Sequence, residues 1–210
     1  KAPENKKAEK WNEIAKELLE ANPELSLQFA SQALKFAQKS KNSEQENYSY
    51  INIGDAYAAI GKPDKAIANF NNAIENGKKV NDDNIVVLGI LGLGELYFYK
   101  GDYDKALEHF NKAADLAKKT KNNEVLSRTL NDLGIIYKKR GHYDEALSYY
   151  NQALKLDQDN AVFKNISTDL NNIGAVYRSL GQYDKAIEYY RQAVEIDIKL
   201  TYSVDLAVDY

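Results

Sequence analysis

The chain of 210 residues has a net charge of −3, 28% charged and 44% hydrophobic side chains, and neither cysteine nor methionine. That charge gives no electrostatic case for nucleic acid or an anionic membrane surface, and no run approaches the roughly 18 apolar residues of a membrane-spanning helix. The lack of cysteine excludes disulfides, thiolate zinc and thiol catalysis. It leaves the compartment open: cytoplasmic or, with a leader removed, extracytoplasmic.

Residues 1–10, KAPENKKAEK, are polar and are expected to fray. Residues 11–42 form a weak copy of the later units, because a shift of 40 places Pro23 under Pro63, Ala33 under Ala73 and Leu34 under Ile74. There Ile14, Glu17 and Ala21 replace the glycine, tyrosine and glycine of the later copies. This hairpin is therefore expected to close around Trp11 and Leu18 and to cap the array, since terminal repeats lack one neighbour.

Regular copies occupy about 45–80, 85–120, 125–160 and 165–200. Their frame returns every 40 residues: Gly54, Gly94, Gly134 and Gly174; Tyr57, Tyr97, Tyr137 and Tyr177; Gly61, Gly101, Gly141 and Gly181; Asp64, Asp104, Asp144 and Asp184. Ala66, Ala106, Ala146 and Ala186 keep the same step, as do Phe70, Phe110, Tyr150 and Tyr190, and Ala73, Ala113, Ala153 and Ala193. A fixed period of this size marks a solenoid, here one all-α array over 11–200.

Within a copy, Leu133, Gly134 and Tyr137 share one helical face, and Ala146, Tyr150, Ala153 and Leu154 share another at the i, i+4, i+7, i+8 spacing. Each copy is thus an antiparallel helix pair. First helices are expected near 45–60, 85–100, 125–140 and 165–180, and second helices near 63–79, 103–119, 143–157 and 183–199. Gly141 and its equivalents supply the positive φ that ends a helix, and Asp144 meets free N–H groups in the next first turn, the early site where Pro63 is also tolerated. Gly134 and Ala146 allow close approach, while Tyr137 and Tyr150 fill the space around them. Residues 201–210 align with Ala161–Leu170 and are expected to open a further repeat or a capping helix, as in a region cut from a longer protein.

The frame Gly94, Tyr97, Ala106, Phe110 and Ala113 resembles the tetratricopeptide repeat, and the resemblance covers nearly the whole chain. The usual unit of that family has 34 residues; the 40-residue unit, with LNDLG at Leu130–Gly134 and LNNIG at Leu170–Gly174, is similar to the variety in kinesin light chains and bacterial signalling proteins. The resemblance implies a right-handed superhelix that binds partner peptides or helices along a concave surface lined by first helices. The family's carboxylate clamp needs Lys and Asn on one first helix and Asn on the next. Those positions read Ile51, Asp55 and Gly92, or Leu91, Glu95 and Asp132, so a chaperone-tail function is not expected.

Stepping three, four and three residues beside the packing face gives the rows expected on the concave wall. They are Tyr48, Ile51, Asp55 and Ala58; Leu88, Leu91, Glu95 and Phe98; Arg128, Asn131, Ile135 and Lys138; Thr168, Asn171, Ala175 and Arg178, with Asn52, Asp132 and Asn172 beside them. The early half offers apolar surface with two acids, the later half asparagine and cations. That grading suits a ligand with an apolar anchor followed by backbone amides and a carboxylate, since asparagine pairs with both N–H and C=O of an extended peptide.

No catalytic or metal site is expected. His109 and His142 are explained by structural, solvated roles, and two histidines without cysteine make no ligand set. Gly89, Gly92 and Gly94 lie inside a first helix and lack the Lys-Ser or Lys-Thr of a phosphate loop. Tyr149 and Tyr189 are expected to cover the convex side or the next repeat interface. Asn47-Tyr-Ser49 and Asn165-Ile-Ser167 match the glycosylation pattern at helix starts. The reading is a scaffold without catalysis or cofactor that binds a protein or peptide in its groove. The alternative is the input region of a larger signalling protein, such as a bacterial histidine kinase or transcriptional regulator, continuing into a C-terminal effector domain.

Overall fold

Hydrophobic spacing of 3.6 residues, punctuated by Gly and Asn, dictates helices and short turns, and the computed structural model, which describes residues 4–208, contains ten helices and no strand among them. They are α1 (Glu4–Leu18), α2 (Pro23–Ser40), α3 (Ser43–Ala59), α4 (Pro63–Lys79), α5 (Asp83–Tyr99), α6 (Tyr103–Thr120), α7 (Asn123–Lys139), α8 (Tyr143–Asp159), α9 (Phe163–Ser179) and α10 (Tyr183–Val208). The chain divides into two compact units, Lys1–Thr120 with α1 to α6 and Lys121–Tyr210 with α7 to α10. Within the first, α3 also touches α1 and α5, so first helices lie side by side.

The polar start does not fray throughout: residues 4–10 are the opening turns of α1, where Ala8 is fully buried, and residues 1–3 lie outside the described range. First helices begin about two residues earlier than the periodicity places them. The polar connectors are consumed as caps: Asp82 accepts from the Asn84 and Ile85 N–H groups, and Asn122 from that of Val125. Gly61, Gly101, Gly141 and Gly181 end first helices with φ of 73° to 78°. The second helices differ, because the chain leaves them through left-handed Lys41, Asn81, Lys121 and Ala161, positions where no glycine advertises the turn. α10 has no such break and runs on through Val208, across residues aligned with the start of a first helix.

Glycine inside the first helices is a packing requirement. A Cβ at Gly54, Gly94 or Gly134 would lie 2.6 Å from the ring of Phe70, Phe110 or Tyr150, each of them buried. The ring therefore sits on bare backbone, and alanines such as Ala146 and Ala153 let the second helix come close enough to put it there. In three pairs a ring of the second helix lies over the repeat tyrosine. His109 stacks on Tyr97 at 5.4 Å, Tyr149 on Tyr137 at 5.3 Å and Tyr189 on Tyr177 at 5.4 Å. Tyr149 and Tyr189 are thus closed within their own hairpins, and His109 is half-buried, with burial lowering its basicity. In the N-terminal pair Trp11 packs on Phe29 at 4.7 Å and Phe36 at 6.1 Å, so aromatic rings of α2 replace the expected Leu18.

Candidate partner-binding surface

The residues expected on the wall do not share one environment. Ile51 and Leu91 are core residues, 8% and 2% exposed, and Leu88 packs against the same cluster as Ile51. Tyr48, Asn52, Asp55, Ala58, Glu95 and Phe98 are half-buried. In the second unit Arg128, Thr168, Asn171 and Arg178 are exposed or nearly so, whereas Asn131, Asp132, Ile135, Lys138, Asn172 and Ala175 are half-buried. The difference is neighbourhood: α3 is flanked by α1 and α5, while α9 is the last first helix of its unit.

Two clefts result from this arrangement. In the first unit a cleft of about 310 Å³ is lined by Glu9, Asn12, Glu13, Lys16, Glu44, Gln45, Tyr48 and Asn52. Its floor is a hydrogen-bonded group in which Asn52 Nδ2 donates to Asn12 Oδ1 at 3.2 Å, Ser49 donates to the same oxygen at 3.0 Å, and Asn12 Nδ2 donates to the Gln45 carbonyl at 3.0 Å. Tyr48 ionises less readily than a free tyrosine through burial and then the Glu44 and Asp82 carboxylates. Asn12 is a member of this site that the wall stripes omit, although it occupies the position of Asn52 one period earlier.

In the second unit a cleft of about 380 Å³ is lined by Glu124, Ser127, Arg128, Asn131, Asp132, Ile135, Asn165, Thr168 and Asn172. Asn172 Nδ2 donates to Asn131 Oδ1 at 2.9 Å, and Asn131 Nδ2 donates to Asp169 Oδ1 at 2.6 Å and to the Ser127 carbonyl at 3.3 Å. Asn131 has no amide N–H left to offer a ligand; Asn172, which lines the cleft, uses its amide nitrogen on Asn131. Beneath, the Ser127 hydroxyl donates to Asp157 Oδ2, and Asn165 Nδ2 donates to Asp157 Oδ1 at 3.4 Å. Asp157 and Asp169 are 2% and 0% exposed, and burial raises the Asp169 pKa to about 7, with the Asp157 carboxyl adding to the shift. Along the same helices, Lys138 is a weaker base than free lysine because of burial and then the Arg178 charge, so α7 and α9 bring two cations together beyond the amide floor.

Other candidates are absorbed by structure. The Asn47 side chain is 1% exposed, which removes it as a glycosylation acceptor, and Asn165 is engaged with Asp157. His142 precedes α8 and pairs with Glu145 at 3.3 Å. Among the described residues no cluster of three or more metal-binding side chains occurs, and no helix is long and apolar enough to cross a membrane.

Family models described as tetratricopeptide repeat match residues 51–119, 86–159 and 169–199. No curated protein matches by sequence. Among solved structures, a Rap protein complexed with competence and sporulation factor is similar with a TM-score of 0.74 and 18% identity over 96% of this chain and 66% of that one. BtubC (BKLC) from P. vanneervenii gives 0.68 and 17% over 94% and 91%. A signal transduction ATPase with numerous domains and a tetratricopeptide repeat sensor, from Pyrococcus horikoshii, gives 0.68 and 17% over 97% and 31%.

Proposed function

Because the chain belongs to the tetratricopeptide-repeat family, whose members generally mediate protein–protein interactions, we propose that it is a non-enzymatic scaffold capturing an extended segment of another polypeptide. The observation that carries this reading is the second-unit cleft: an asparagine acceptor held in place by Asn131, with exposed Arg128 and Thr168 at its rim and Lys138 and Arg178 farther along. An extended peptide donates its N–H to such an oxygen, and an acidic side chain or carboxyl terminus meets the two cations.

The test is selection of random linear peptides displayed on phage by the immobilised full chain. The expected result is enrichment of sequences with an acidic residue, lost in an Asn172→Ala, Arg128→Ala, Arg178→Ala variant that melts like the parent. Enrichment that survives those substitutions, or none with the parent, refutes the assignment.

A second reading is that this scaffold is the sensor region of a larger signalling protein, favoured by its similarity to the repeat-bearing ATPase from Pyrococcus horikoshii. The coding sequence around the repeats decides it: an effector domain in the same reading frame supports it, and stop codons flanking the repeats refute it.

A further inference from the structure

We propose that Asp169, set against the Asp157 carboxyl, is a protonation-dependent lock under the second-unit cleft, holding its asparagine floor in place when protonated and releasing it as the pH rises. The repeat frame does not require these acids. One period earlier the Asp157 position is Ala117, and Gly77 before that; the Asp169 position is Thr129, Gly89 and Ser49, all buried. Small uncharged residues therefore close the same hairpins in the earlier copies, while Asp197 stands one period after Asp157 and Asp209 one period after Asp169; Asp157 and Asp169 are carboxylates held in a place that penalises charge.

Oδ2 of Asp169 is buried with no hydrogen-bond partner, and the Asp157 carboxyl interacts with the Asp169 side chain. Two ionised carboxylates are acceptors only, so the contact becomes a hydrogen bond when one of them carries a proton. Donors from the cleft floor grip the pair on its other atoms: Ser127 and Asn165 on Asp157, and Asn131 on Asp169. Asn131 in turn positions Asn172. The proton thus ties α8 to α9, and through Asn131 it ties both to α7.

Among the described residues, no cation is buried with the pair. From α7 it meets Ser127 and Asn131, while Glu124 and Arg128 are exposed on the cleft side and Asp132 is half-buried beside the Tyr150 ring. α10 packs Ala193 and Ile196 against Ile166 and Leu170, with Glu195, Asp197 and Lys199 exposed. Asp159 of α8 and Lys164 of α9 are exposed, as is Lys155 at the outer face of α8 in part.

The sign follows from burial, the largest cause, which with the Asp157 carboxyl raises the folded Asp169 above an ordinary carboxylate and outweighs the Asn131 hydrogen bond that favours the ionised form. Its stabilising protonation is complete below the unfolded value and is lost as the pH rises toward neutrality, so the second unit loosens with rising pH.

The experiment measures amide hydrogen exchange in the full chain between pH 4.5 and 8, corrected for intrinsic rates, with titration of the carboxyl carbons by NMR. One proton released on opening changes the opening equilibrium of α8 and α9 by about tenfold per pH unit. Asp169→Asn places a donor where the proton sat and is expected to abolish that slope, keeping the Asn131 and Asn172 side-chain amide signals unchanged up to pH 8. Should that variant fail to fold, the NMR titration of the Asp169 carboxyl in the parent chain decides alone. An Asp169 carboxyl that titrates at the ordinary carboxylate value, or a slope that persists in the folded variant, overturns the lock.

Discussion

Gly134→Ala tests whether ring-on-backbone packing sets the repeat. The new Cβ would lie 2.6 Å from Tyr150 Cε1 and 2.8 Å from Cδ1, against about 3.5–4.0 Å for relaxed carbon contacts. The ring has to retreat by roughly 1 Å, yet it is 0% exposed and packed with Ala146, Ile173 and Val176. Overpacking of this kind costs about 1–3 kcal/mol, and the better helix propensity of alanine returns about 1 kcal/mol. The difference is about 0–2 kcal/mol, and because the ring is fully enclosed the expected net loss lies in the upper half, about 1–2 kcal/mol, each kcal/mol lowering the melting temperature of a unit this size by about 4–8 °C. Gly174→Ala is the internal control, because its Cβ would meet the half-buried ring of Tyr190 at 2.8 Å, and that ring has room to yield. Thermal and urea melts followed by circular dichroism rank the two. A Gly134→Ala protein as stable as the parent, or a Gly174→Ala protein that loses more, refutes the packing explanation.

Three further substitutions address unmet polar groups and a strained turn. Asn47→Val is expected to stabilise the first unit by about 1–3 kcal/mol, since both amide atoms of Asn47 are buried without partners and the same repeat position holds buried Val87; urea midpoints of the full chain measure it. Tyr150→Phe removes a buried hydroxyl with no partner and copies Phe70 and Phe110, so a rise in melting temperature corresponding to about 1 kcal/mol is expected. Burial and then the Asp132 charge hold that hydroxyl protonated far above the ordinary tyrosine range, so near pH 10 only the unfolded chain ionises there, the parent loses stability, and the gain is expected to be larger at pH 10 than at pH 7. Ala161→Gly relaxes a φ of 55° at the exit from α8 and is expected to add about 0.5–1 kcal/mol, read by the same melts.

Much of the architecture is readable because the chain states it four times. Gly61 and its equivalents predict the turns, and Gly54 with Phe70 predicts the close contact, since a glycine and an aromatic held at a fixed separation through every copy mark a ring laid on bare backbone. The starts of α5 and α7 are placed late by periodicity because Asp82 and Asn122 look like loop residues until their side chains are seen accepting from helix N–H groups. The ring stacks are twelve residues apart in three copies, with tyrosine in two, histidine in one and Asn69 in the first copy, but spacing alone does not distinguish a ring that pairs within its hairpin from one that reaches the next repeat.

The cleft is less legible for a physical reason: a side chain's availability is set by what its neighbours leave unpaired, and the repeat frame is silent on that. Ile51, Leu91, Asn131 and Asn171 occupy one repeat position, yet the first two are core, the third is half-buried and the fourth exposed. Asn131 reads as a ligand-pairing amide, and its oxygen and both of its N–H groups are taken by Asn172, Asp169 and Ser127. The acid that takes it follows an exposed threonine and precedes a core leucine, a context shared by the solvated acids of any amphipathic helix. Only its depth, and the second carboxyl beside it, turn Asp169 from a surface charge into a support for the floor. Under the proposed function, recognition in the second unit falls to Asn172, which is held by a residue that is itself held from below, so substituting Asn131 is expected to weaken capture and stability together, whereas substituting Asn172 is expected to weaken capture alone.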